Sequence, residues 1–155
     1  MPDSEPLVLF RRAPAGLRRG ALEEFAHVLR TRVAGGREFQ CLITNDRALR
    51  RLNRQFLRRD RPTDVLSFPA DKNAKRGTRE SGPLGELAIS AQRAAEQARE
   101  FGHTVGDEIR ILMLHGVLHL VGMDHERDGG AMGRAEAEWR KNLGLPAGLI
   151  ERALE

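Results

Sequence analysis

Cysteine is nearly absent from these 155 residues: Cys41 stands alone, so no disulfide can staple the chain. Its apolar, strand-like surroundings, Phe39 to Thr44, suit a reduced, buried side chain of a cytoplasmic protein rather than a nucleophile. Long hydrophobic runs are missing too. None approaches the ~20 residues that a bilayer-spanning helix needs, which excludes a membrane protein of that kind. The first residues, MPDSEPLVLFRR, start acidic and have no apolar stretch ahead of a small-residue cleavage site, so they do not read as a secretory signal. Lysine is scarce. Lys72, Lys75 and Lys141 are the only three, which leaves 23 arginines among 26 basic residues, against 22 acidic ones and a net charge of +4. Arginine forks match phosphate oxygens, so the bias is compatible with nucleic-acid binding; a genome rich in arginine codons would produce it equally well.

What is present is a soluble globular composition, 40% hydrophobic and 31% charged, in a length typical of one domain, residues 1–155. The pattern predicts a strand at Leu7 to Phe10, a helix from about Arg18 to Val33 ended by Gly35 and Gly36, and a strand at Phe39 to Thr44. A second helix follows Asn45 as N-cap and stops at Pro62; its Leu49, Leu52 and Phe56 are spaced to face a core. Strands at Val65 to Phe68 and Leu84 to Ser90 flank a polar loop, Ala70 to Pro83. A polar helix from Ala91 to Phe101, closed by Gly102, precedes a strongly apolar helix from Val105 to Val121 opened by a Thr104 capping box. A last amphipathic helix spans about Ala131 to Leu143, marked by Gly144 and Pro146. The fold class is α+β: one domain, a mixed four-stranded sheet and about five helices.

On the second helix Arg47, Arg50, Arg51, Arg54 and Arg58 recur at three- and four-residue intervals along one solvent-facing stripe. From Asp46 to Arg61 seven arginines meet only Asp46 and Asp60. Such a ridge, with Arg59 beside it, is a candidate RNA-phosphate surface; the plainer reading is a solvated helix face.

The segment LHGVLHLVGMDH, Leu114 to His125, carries the chemistry. His115 and His119 stand one turn apart on the apolar helix, so their imidazoles share a face and can chelate one ion. Gly122 can take the left-handed conformation that ends a helix and turn His125 toward the same ion. Three neutral nitrogens suit zinc or another transition metal and leave one coordination position open, the mark of a catalytic site. His27 and His103 have no such partners in sequence and read as structural. The spacing matches the metzincin signature H-E-x-x-H-x-x-G-x-x-H except that Gly116 replaces the glutamate base, so a peptidase is the second reading. Gly116 inside a helix costs about 1 kcal/mol relative to alanine and implies a close packing approach. Met132 and Glu136, four apart on the last helix, read as its buried and exposed faces, and Asp64 as a turn or capping residue. Asp124 can orient a ligand or simply form the turn after Gly122. No general base is assigned.

With these residues in hand, the chain resembles the YbeY family of bacterial endoribonucleases. The resemblance rests on LNRQF (Leu52 to Phe56), PTDVLSFP (Pro62 to Pro69), LGELAIS (Leu84 to Ser90) and HGVLHLVGMDH (His115 to His125). It implies a zincin-like helix with one zinc-type ion on His115, His119 and His125, and metal-dependent cleavage of single-stranded RNA. It also implies a part in maturing small-subunit ribosomal RNA and in ribosome quality control, with the small ribosomal subunit and its proteins as partners. A non-catalytic assembly factor with a structural metal is the competing reading outside enzymes. Two positions depart from the family's pattern: Leu57 stands where an arginine associated with activity is usual, followed by Arg58 and Arg59, and Met123 stands where tyrosine is usual.

Overall fold

A computed structural model describes residues 5–57, 63–70, 82–123 and 129–146. Within them the chain order is β1 (Val8–Phe10), α1 (Arg19–Arg32), β2 (Phe39–Thr44), α2 (Asp46–Leu57), β3 (Val65–Pro69), β4 (Gly85–Ser90), α3 (Ala91–Phe101), α4 (Val105–Leu120) and α5 (Ala131–Leu143). The α+β expectation of a mixed four-stranded sheet with five helices holds among the described residues. Pro62 and most of the 70–83 loop lie outside them.

The sheet order is β1-β2-β4-β3. β1, β2 and β4 run parallel, with Val8 opposite Cys41 and Cys41 opposite Leu87, while β3 closes one edge antiparallel to β4. Alternation sorts the strand side chains onto two faces. Phe39, Cys41, Ile43, Leu87 and Ile89 join α1 and α4 in the main core. Leu66 and Ala88 point the other way and form a smaller cluster with Leu49 of α2. α2 and α4 therefore cover opposite faces of the sheet.

Local chemistry explains the boundaries. The Asn45 side chain accepts a bond from the backbone N–H of Ala48 at 2.8 Å and caps α2. Ser90 does the same for α3 through Arg93, and Thr104 for α4 through Asp107. Gly102 and Gly144, at φ 74° and 71°, end α3 and α5 in the left-handed conformation. Glu23 of α1 accepts the backbone N–H groups of Leu7 and Val8, both at 2.9 Å, and so ties the short edge strand β1 to its crossover helix.

α4 is apolar nearly all round because it is enclosed nearly all round, by the sheet on one side and by α1, α3 and α5 on the others. Gly116 is the point of closest approach. A Cβ there would lie 2.6 Å from Leu87 Cδ2, so the packing reason read from the sequence is the seating of α4 on β4.

Candidate metal centre

His115 and His119 lie in the last two turns of α4, facing the same side. His115 is buried and His119 half-buried. The Nδ1–H of His115 donates to Oε2 of Glu136 at 2.6 Å, and the Nδ1–H of His119 donates to the backbone carbonyl of Met123 at 3.0 Å. Both partners are oxygens that accept, which assigns the proton of each neutral ring to Nδ1 and leaves each Nε2 with its lone pair. The two Nε2 atoms face each other 3.2 Å apart, with the rings 77° to one another.

Two lone pairs at that separation repel unless a proton or a metal cation lies between them. Two nitrogens bound tetrahedrally to one zinc ion would be about 3.3 Å apart. The pair therefore fits a transition metal in both donor chemistry and spacing. Among the described residues no group of three potential ligands forms. His125 and Asp124 lie outside the described residues. The chain does turn as the glycine predicts: α4 ends at Leu120, Gly122 has φ 101°, and the N–H groups of Gly122 and Met123 bond back to His119 and Leu118.

Glu136 corrects the sequence reading. Both it and Met132 are fully buried on α5, so these positions are not a buried and an exposed face but one inward face carrying a carboxylate. The available signal was the spacing: a glutamate one turn from a core methionine occupies an apolar stripe, where an acid needs a partner. The remaining histidines also have carboxylate neighbours. His27 meets Glu23 at 2.7 Å and His103 meets the buried Glu108 at 2.6 Å. Asp64 accepts from Gln97 at 3.0 Å and from the N–H of Val65, the turn role expected of it.

The ridge of α2 is where its spacing placed it. Arg47, Arg50, Arg51 and Arg54 are exposed, while Asp46, the acid of that helix, pairs with Arg93 of α3 at 3.1 Å. Arg58 and Arg59 lie outside the described residues. Among the described residues, the ridge arginines and the two histidines stand on helices that pack on opposite sheet faces.

The whole pattern has relatives. Residues 16–144 match the family model described as Endoribonuclease YbeY. Proteins named "Endoribonuclease YbeY" include one from Solibacter usitatus, 60% identical over 146 residues, covering 94% of this chain and 92% of that protein. Another, from Koribacter versatilis, is 45% identical over 148 residues and covers 94% of this chain and 91% of its own length. The solution structure of TM1509 from Thermotoga maritima superposes with a TM-score of 0.55 at 28% identity, covering 87% of this chain and 93% of the other. A match spanning both the strand blocks and the histidine helix, at this identity, places the chain in the Endoribonuclease YbeY family.

Proposed function

We propose that this protein is a metal-dependent endoribonuclease that cuts single-stranded RNA during small-subunit ribosomal RNA maturation and ribosome quality control. Its site of action would be the cytoplasm, on or near the small ribosomal subunit and its proteins. The observation that carries the reading is the pair of imidazoles with Nδ1 anchored and Nε2 converging, in a chain of an endoribonuclease family. His115 and His119 would hold one zinc or similar ion on α4, a zincin-like metal helix, with His125 as the third ligand. When bound, such an ion acts as a Lewis acid toward a phosphoryl oxygen and lowers the pKa of a coordinated water to roughly 7. The chain's own share is positional. The α4 backbone fixes the one-turn spacing of the histidines, the Met123 carbonyl holds the tautomer of His119, and Arg47, Arg50, Arg51, Arg54, Arg58 and Arg59 would hold backbone phosphates.

Gly116 counts against the peptidase alternative. A glutamate base at that position would need a Cβ that would lie 2.6 Å from Leu87 Cδ2. The test is cleavage of matched single- and double-stranded RNAs by purified protein, with and without chelator. Chelator-sensitive cutting confined to the single strand, lost in His119→Ala, supports the proposal; cutting that persists without metal, or chelator-sensitive proteolysis, overturns it.

A further inference from the structure

We infer that Glu136 is a positioning residue for the metal centre: its buried carboxylate fixes the tautomer and orientation of His115 and raises the affinity of the site for a divalent cation. The inference deepens the metal-site proposal and rests on it.

Burying a carboxylate costs several kcal/mol unless a partner compensates, and an apolar side chain would pack between α4 and α5 at less cost. Glu136 is nonetheless fully buried, and its Oε2 sits 2.6 Å from Nδ1 of His115. The bond reaches across 21 residues, from α5 to α4, so α5 supplies more than cover for the core. A negative acceptor behind the imidazole makes Nε2 a stronger donor toward a cation, holds the ring against rotation, and offsets part of the charge that a dication would bring into this interior. Behind His119 stands the backbone carbonyl of Met123, a neutral acceptor.

A second buried pair, His103 with Glu108, serves as an internal control. It has the same 2.6 Å spacing but stands at the opening of α4, and Glu108 precedes His115 by seven residues, roughly 10 Å along a helix axis. It joins the residue before the Thr104 cap to the first turn of that helix.

The experiment measures zinc affinity by competition with a chromogenic chelator for the parent, Glu136→Gln, Glu136→Leu and Glu108→Gln, with the thermal midpoint of each metal-free protein recorded alongside. An amide oxygen still accepts the Nδ1–H bond without the charge, so affinity should fall in the order parent, Gln, Leu. The Leu variant should bind about 10- to 100-fold more weakly, and Glu108→Gln should bind as the parent does whatever happens to its stability. Nitrogen-15 spectra of the metal-free parent should show His115 protonated at Nδ1, a signature absent from Glu136→Leu. Parent-like zinc affinity in Glu136→Leu, or an Nε2-protonated His115 in the parent, would overturn this inference while leaving the metal site standing. A parent that binds no zinc would overturn both.

Discussion

At the scale of single residues, two side chains are set by contact rather than by composition. Cys41 lies fully buried between strands, and burial pushes its thiol up to about 12. It should stay unmodified by thiol reagents in the native protein at neutral pH and react at once in denaturant; rapid native labelling would contradict its place in the core. At Gly116 two effects oppose each other. Alanine would favour the helix by about 1 kcal/mol, but overpacking against Leu87 costs about 1–3 kcal/mol, and Leu87 is too enclosed to yield. Gly116→Ala should therefore destabilise the protein, whereas in a Leu87→Ala background the same change should be neutral or stabilising. Denaturant unfolding of the four proteins reads the cycle, and equal effects in both backgrounds would rule out the clash.

At the scale of elements, β1 is only three residues long and hangs on α1 through Glu23. Partial desolvation pulls the Glu23 pKa up, but the N–H groups of Leu7 and Val8 and the His27 ring outweigh it and hold the carboxyl below its ordinary value of 4.5. A depressed folded pKa stabilises above the unfolded one, and this contribution is lost as pH falls through the folded value. Unfolding free energy measured between about pH 6 and pH 3 should fall less steeply in Glu23→Gln than in the parent, and parallel curves would show that the tether carries no linkage. Much at this scale is legible beforehand. The bounds of β2, α3 and α5 are those the sequence pattern placed, with the glycines at 102 and 144 closing the two helices. The burial of Glu136 is not so legible, because charge argues for solvent until its partner, 21 residues away, is placed.

At the scale of the whole molecule, the separation of ridge and histidines is the feature that no spacing reveals, since it depends on strand order. An RNA touching both must reach from one face of the sheet to the other. If the α2 arginines act there as phosphate contacts, Arg51→Gln with Arg54→Gln should weaken binding at low salt. It should also flatten the salt slope by roughly 0.7 per lost single-strand contact, with metal content unchanged. An unaltered slope would make the stripe a solvated face. The histidine spacing, by contrast, was readable because one helical turn leaves little choice about where two rings at 115 and 119 point, and the glycine at 122 does turn the chain. The most direct measurement is the metal content of the purified protein beside His115→Ala, His119→Ala and His125→Ala. The parent should carry about one transition-metal ion per chain and each variant should lose most of it, while full occupancy in all three would contradict a metal centre built on these histidines.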